Sequence, residues 1–449
     1  MPDHPPTIAR IQGKPVSRIE FLAEARRIAD ELPDHAHAVN LCQDRYLFAL
    51  GLVACLLRGI VTLLPPDRGF RQLAQIEQTH PGALILTDQA TETVHDAWLL
   101  QRPDQPLMPT TEASLSLPDD QVAVIAFTSG STSSPRPHVK TWGSLCASAL
   151  HIDRFLGGVR GKTVIATVPP QHMYGLELSI LLPLCRGSLL EPSRPFFPTD
   201  IVSAVAEASP PRILVTTPIH LKALLASDLR LPTLDFVVSA TAPLDPGLSA
   251  DCQRRFGLPL LEIYGCTETG SIAGRCPTEG LAWHVFEGID LSAGASGVEV
   301  KAPHLPEVIP LNDRLRILDD RHFVLEGRST DLVNIAGKRT SLTALNQSLV
   351  EAPGVVDGAF YLPDEVSGET ATPRLLAFAV LAPGVSVDVV QLWLRQQLDP
   401  AFVPRALIPV PALPRRETGK LPREALASLL DTYRARSGKS SGTVSGSTG

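Results

Sequence analysis

Apolar and polar positions along this chain follow two periods. Arg18 to Leu32, Tyr46 to Leu57 and Gly69 to Thr79 repeat apolar residues every three to four positions, which predicts helices. Val61 to Leu64 and Ala83 to Thr87 are short apolar runs between them, which predicts strands in a parallel α/β layout. Val164 to Pro169, Arg212 to Thr217 and Phe236 to Ala240 are apolar, β-branched runs bounded by Pro or Gly, suited to strands covered on both faces. Around Gly294 to Pro310 the helical period fades and short strands are expected. After Arg328 the pattern predicts a smaller α/β unit, with helices over Leu342 to Glu351 and Val387 to Leu398 and strands over Gly358 to Leu362 and Leu375 to Leu381. The most membrane-like stretch, Tyr46 to Leu64, is cut by Arg58 after about eleven apolar residues, too few to span hydrocarbon. Residues 437–449 are dominated by Gly and Ser, so a disordered tail is expected.

Candidate chemistry is densest at Val124 to Pro137, where an apolar run ends in Thr128-Ser129-Gly130-Ser131-Thr132-Ser133-Ser134 and closes on Pro135 and Arg136. Small residues let a backbone approach an anion, hydroxyls and N–H groups donate to it, and arginine adds fixed charge. The segment reads as a strand feeding a phosphate-gripping loop; a surface linker has a similar composition. GxxxxGK[ST] and GxGxxG are absent, which removes the main support for P-loop and Rossmann readings.

Three further segments bear on the same chemistry. Leu261 to Gly270, LEIYGCTETG, is an apolar run ending in a polar turn, and the one carboxylate of the turn YGCTETG, Glu268, is a suitable hard-oxygen ligand for Mg²⁺; ordinary turn chemistry would explain the same residues. Leu311 to Ser341 alternates as a β-hairpin with a charged face and carries Asp313 and Gly327-Arg328. Pro414 to Arg423, PRRETGKLPR, is a basic turn containing Lys420.

In this order and spacing the four segments resemble the ANL adenylating enzymes, whose patterns are [ST]SG[ST]TGxPK, YGxTE, a GR hinge and PRTxTGKxxR. Ser133 and Arg136 depart from the first pattern, which has Gly and Lys there. Thr330 departs at the hinge, where Asp or Lys is usual two residues after the arginine. The resemblance implies an α/β fold with a large N-terminal domain of layered sheets and a small β-barrel-like part (1–327), a small mobile C-terminal α/β domain (328–436) and a tail (437–449). It also implies ATP and Mg²⁺ as cofactors. A carboxylate would attack the α-phosphate to give acyl-AMP and pyrophosphate, and a thiol would then displace AMP, with the small domain in a different orientation for each step. By the same resemblance Thr128, Ser129, Gly130, Ser131, Thr132 and Arg136 hold phosphates, and Thr241, Ala242 and Pro243 bracket adenine. Tyr264 and Gly265 form the adenine-stacking turn, Thr267 bonds the α-phosphate, Glu268 holds the metal and Asp313 holds the ribose. Arg328 opens the hinge and Lys420 meets the charge that builds up during adenylation.

Pro169 to Gly175, PPQHMYG, resembles the family's PxxHxxG, with His172 as gate between acid and thiol; a hydrogen-bonded core histidine is the other reading. Met173, His220, Ala240, Thr241 and Cys266 are candidates for the acid's wall, and small residues there suggest a modest, partly polar, aromatic acid. Residues 40–66, SPRPHVKTW and GKRTSL resemble compact AMP-ligases of aryl polyene and xanthomonadin-type pigment pathways. That resemblance implies a 4-hydroxybenzoate-like acid delivered to an acyl carrier protein, with coenzyme A as the alternative acceptor. Arg395, Arg405, Arg415 and Arg416 offer a positive rim for an acidic carrier.

Composition narrows this picture. The 449 residues are 44% hydrophobic and 19% charged, enough for a large core and at least two domains. A net charge of −7 argues against nucleic acid as partner. Seven scattered cysteines without CxxC spacing point to a reduced, cytoplasmic protein without a zinc site. The start, MPDHPPTIARIQGK, carries no apolar h-region, so no secretory signal is expected. A regulatory nucleotide-binding protein on the same fold is the rival that Ser133, Arg136 and Thr330 keep open.

Overall fold

A computed structural model describes residues 6–65, 70–89, 97–102, 116–128, 136–294, 297–328, 332–335, 338–363, 375–416 and 419–439. The chain divides into two compact units. The first takes in Met1–Gly294, Glu299–Pro310 and Ile317–Val324; the second takes in Ala295–Val298, Leu311–Arg316 and Leu325–Gly449.

The first unit holds a six-stranded sheet in the order Trp98–Leu99, Leu84–Thr87, His37–Asn40, Val61–Leu64, Val122–Thr128 and Arg136–Thr141. All neighbours are parallel except the last pair, which is antiparallel with Thr128 opposite Arg136. The helix Arg45–Arg58 supplies the crossover from His37–Asn40 to Val61–Leu64. Asp44 caps it by accepting from Leu47 N at 3.0 Å, and Gly59 ends it in the left-handed conformation. Every residue from Phe48 to Leu56 is buried, so its apolar character serves a core on all sides. No helix among the described residues is long and apolar enough to cross a membrane.

A second sheet of the same unit is parallel at its centre. Phe236–Ser239 lies between Arg212–Thr216 and Leu260–Cys266, with Thr163–Ala166 beyond Arg212–Thr216. Leu260–Cys266 turns into the antiparallel strand Gly270–Arg275. Helices Pro198–Glu207, Pro218–Ala226 and Pro246–Phe256 alternate with these strands, and Ile165, Ile201, Leu214, Leu221, Val237 and Leu260 share one buried cluster. The right-handed crossovers of such a sheet bring the strands' carboxyl ends to one edge, where open α/β sheets bind ligands.

The second unit carries the sheet Val355–Tyr361, Leu376–Leu381, Ala406–Pro409, with helices Leu342–Glu351, Val387–Gln397 and Arg423–Lys439. Leu345, Leu349, Phe360, Ala377 and Leu394 form its core. Leu342–Glu351 falls where the sequence predicts it. The expected tail lies outside the described residues beyond Lys439, and the last helix runs three residues into it.

Candidate active site

The strand Val122–Thr128 and its partner Arg136–Thr141 flank the predicted phosphate loop, whose residues Ser129, Gly130, Ser131 and Thr132 lie outside the described residues. Arg136 is exposed. The next positions invert the usual strand pattern, because Val139 is 53% exposed while Lys140 is 7% exposed. Facing inward, Lys140 donates from Nζ to the backbone carbonyl oxygen of Glu268 at 2.5 Å. Burial lowers its pKa, opposed by the nearby carboxylates of Glu177 and Glu268. His138, one inward position earlier, has Nε2 3.2 Å from Thr128 Oγ1 and 3.7 Å from Glu268 Oε1. Burial also lowers its pKa. Thr128 and Glu268, 140 positions apart, thus meet through one imidazole.

The turn carrying Thr267 and Glu268 follows Tyr264 and Gly265 on the strand Leu260–Cys266. Gly265 has no alternative, since a Cβ there would lie 2.2 Å from the carbonyl oxygen of Gly270. Gly270, at φ +73°, would place a Cβ 2.7 Å from Glu177 Oε1. Glu177 is buried and fixes the strand after the turn, accepting from Ser271 N at 3.1 Å and Ser271 Oγ at 2.6 Å, with Ser148 Oγ also bonded. Cys266 Sγ lies 3.2 Å from Thr269 Oγ1, and burial pushes the Cys266 thiol up to about 12, so the thiol is inert.

Tyr264 is buried against two aromatics, its ring 5.6 Å from those of both Trp283 and Phe323. Arg275 lies over Trp283, Cζ 4.5 Å from the ring centroid, and donates from Nε to Glu262 Oε2 at 2.7 Å. Glu262 Oε1 in turn accepts from Leu244 N at 2.9 Å. Burial raises the Glu262 pKa and the Arg275 charge opposes the rise. This chain of contacts ties the Tyr264 turn to Thr241, Ala242 and Pro243, the predicted adenine bracket. Thr241 has φ +78°, where a β-branched residue is strained by about 1–3 kcal/mol. The glycines usual at such a turn would relieve that strain.

His172 is half-buried and sits at the N-terminal boundary of the short helix Met173–Leu176 without a side-chain cap bond, its backbone N–H donating to Pro169 O at 3.2 Å. That helix runs into a π-helical segment, Glu177–Arg186, a form frequent at functional sites. Arg45 is buried beneath the same region and donates to Ala166 O at 2.6 Å, Ser193 O at 2.7 Å and Val168 O.

The second unit contains Asp313, Arg328 and Lys420. Arg328 ends the strand His322–Arg328, and its side chain lies outside the described residues, as do Thr330 and Asp331. Lys420 is exposed, in a turn closed by Gly419 N donating to Arg416 O at 2.7 Å and Arg416 N donating to Lys420 O at 2.8 Å. Arg415 corrects one expectation. Instead of a free rim charge it makes a two-pronged pair with Asp357, both contacts at 2.7 Å.

Metal fit follows from the donor set. Glu268 is a partly exposed carboxylate, and among the described residues no group of three or more His, Cys, Asp or Glu could hold a metal alone. One carboxylate suits Mg²⁺ shared with a polyphosphate.

Two α/β units, the first with polar turns at the carboxyl ends of parallel strands, place the chain among α/β proteins that bind ligands at strand ends. The chain belongs to the AMP-binding enzyme family: the AMP-binding enzyme model matches residues 31–323 and the AMP-binding enzyme C-terminal domain matches residues 345–420. It is an AMP-forming acid–thiol ligase of the ANL superfamily. A 4-coumarate–CoA ligase of Halorhodospira halophila is 31% identical over 304 residues, covering 66% of this chain and 73% of that one. A probable 2-succinylbenzoate–CoA ligase of Mycobacterium tuberculosis is 28% identical over 332 residues, covering 69% and 84%. The o-succinylbenzoate coenzyme A synthetase of Bacillus subtilis, solved with ATP and magnesium ion, has the same fold, with a TM-score of 0.78 at 18% identity over 94% of this chain and 97% of that one.

Proposed function

We propose that this ligase activates an aromatic acid of the hydroxybenzoate type and passes the acyl group to a phosphopantetheine thiol. The observation that carries the reading is the junction of Thr128, His138, Lys140 and Glu268, which joins the end of the phosphate-loop strand to the YGCTETG turn. In the first step a carboxylate oxygen of the acid attacks the α-phosphorus of ATP and pyrophosphate leaves. In the second the thiol sulfur attacks the acyl carbon and AMP leaves.

The chain's residues divide this work. Thr128, Ser129, Gly130, Ser131, Thr132 and Arg136 hold the β- and γ-phosphates, and Thr267 donates to the α-phosphate. Tyr264 and Gly265, with Thr241, Ala242 and Pro243, receive adenine, and Asp313 accepts from the ribose hydroxyls. Lys420 supplies the cation for the crowded phosphorus, His172 borders the path of the thiol, and Arg328 opens the hinge between functional domains 1–327 and 328–436. Glu268 would hold Mg²⁺, which neutralises polyphosphate charge when bound.

The relatives' names support coenzyme A as the thiol's carrier. An acyl carrier protein of a pigment-type pathway presents the same arm, and the Asp357 pairing removes Arg415 from the rim that would attract it. The test is mass spectrometry of products from purified protein, ATP, Mg²⁺ and 4-hydroxybenzoate, with coenzyme A and a phosphopantetheinylated carrier supplied separately. Hydroxybenzoyl-CoA alone assigns coenzyme A, and an aryl-loaded carrier alone assigns the carrier. Preference for a long-chain fatty acid would overturn the substrate class.

A further inference from the structure

The carboxyl ends of the parallel strands carry polar side chains that the roles above leave unused. Thr216 ends its strand in register with Ser239, and Val215 is in register with Ala166, so Thr167, Thr216 and Ser239 form a row on one face of the sheet. The hydroxyl oxygens of Thr167 and Thr216 are 3.0 Å apart. His220, in the first turn of Pro218–Ala226, packs on this row with Nδ1 2.8 Å from Thr217 Oγ1 and 3.3 Å from Thr167 Oγ1.

These contacts fix the imidazole by one nitrogen only. His220 is 4% exposed and Ser239 is fully buried, yet His220 Nε2 and Ser239 Oγ have no hydrogen-bond partner among the described residues. Each buried polar atom left unpaired is destabilising unless something else pairs it. Tyr174, by contrast, is satisfied, its hydroxyl donating to Val238 O at 2.9 Å. Phe196 meets the His220 ring edge-on, centroids 5.2 Å apart at 88°, and Phe196, Phe197 and Ile219 remain 41%, 63% and 41% exposed. Aromatic surface therefore lies beside the His220 ring.

Scale selects the ligand. The strand leading to His220 is two strands from the one carrying Tyr264 and Thr267, a lateral separation of about 10 Å. One aromatic ring between a carboxylate and a hydroxyl bridges that separation with a hydrogen bond at each end.

We propose that His220 Nε2, with Ser239 Oγ from the neighbouring strand, is the specificity contact for a hydroxyl on the ring of the aromatic acid. The inference rests on the acid-activation reading above. A phenolic hydroxyl both donates and accepts, so it pairs with His220 in either neutral tautomer and still reaches a serine hydroxyl. Burial pushes the His220 pKa down to about 4, so the ring is neutral at physiological pH and suits a hydroxyl better than a second carboxylate. An aliphatic acid would leave both polar atoms unpaired.

The test compares acids that differ only in the hydroxyl, benzoate with 4-hydroxybenzoate and cinnamate with 4-coumarate. In pyrophosphate exchange, His220→Leu is expected to lower kcat/KM about 10- to 100-fold more for the hydroxylated member of a pair than for its parent. His220→Gln should recover part of the difference, and Ser239→Ala should lose a smaller share. In wild-type protein labelled with ¹⁵N-histidine, 4-hydroxybenzoate should shift the His220 Nε2 resonance and benzoate should not. Equal losses within each pair, or an Nε2 resonance unmoved by the hydroxylated acid while exchange proceeds, overturns the inference. Wild-type protein that exchanges with no acid refutes the ligase reading itself, and the inference falls with it.

Discussion

Lys140 Nζ donates to the backbone carbonyl oxygen of Glu268 at 2.5 Å, joining residues 128 positions apart in the sequence. The contact joins the strand that leaves the phosphate-loop segment to the turn that would carry the metal ligand. Lys140 is buried, so its ammonium depends on this carbonyl for a hydrogen-bond partner.

Lys140→Met keeps the length of the side chain and removes its charge and donors. The variant is expected to fold with a lower Tm and to adenylate about 10- to 100-fold more slowly, the range for losing a buried charged hydrogen bond. Pyrophosphate exchange and circular dichroism on one preparation check it. A wild-type rate with a lowered Tm would leave Lys140 as support for the fold only.

Glu268→Gln preserves shape and removes the negative charge from the turn. Adenylation is expected to weaken and to need several-fold more Mg²⁺ for half-maximal rate. A magnesium titration of exchange reads this directly, and an unchanged half-saturation point would move the metal to another ligand.

The strands and the chemistry were not equally legible. Val122–Thr128, Phe236–Ser239 and Leu342–Glu351 follow from apolar runs and a 3.6-residue period, because burial on one or both faces writes itself into local spacing. The YGCTETG turn stood out for its small and polar residues after an apolar run, and Gly265 is needed there because backbone lies where its side chain would be. Lys140 and His138 were missed, although polar residues alternating with Pro137 and an exposed Val139 were an available signal. Their partners Glu268 and Thr128 come from other elements, and local pattern says nothing about such contacts. Glu262 and Arg275 were hidden for the same reason. Arg415 reads as rim charge in the sequence because its partner Asp357 comes from the strand Val355–Tyr361, far away in the chain.

Acid should destabilise the protein through two histidines, the buried His220 and the half-buried His304. Burial holds His220 and His304 at about 4, against an ordinary 6.5, with the charges of Arg194 acting on the first and of His151 and Lys140 on the second. The unfolded chain takes up protons on these rings below about pH 6.5 while the folded chain does not. Their contribution is complete above that pH and is lost as the pH falls through about 4. Tm measured from pH 7 to pH 4 should drop less steeply in His220→Gln and His304→Gln than in the wild type. Parallel curves would show that these rings are not held neutral by the fold.

Lys420→Ala separates the two half-reactions. Acyl-AMP formation is expected to fall by about two to four orders of magnitude, in line with the loss of one positioned charge at a transition state, while thioester formation from supplied acyl-AMP largely survives. Equal losses in both steps with the fold intact would take Lys420 out of the adenylation role.

The central claim is that this chain forms an acyl adenylate from ATP and an aromatic acid, and isotope exchange tests it without an acceptor. With Mg²⁺ and labelled pyrophosphate, label should enter ATP only when an acid is present, faster with 3- or 4-hydroxybenzoate than with a long-chain fatty acid. Failure of every acid in a broad panel to support exchange would contradict the account.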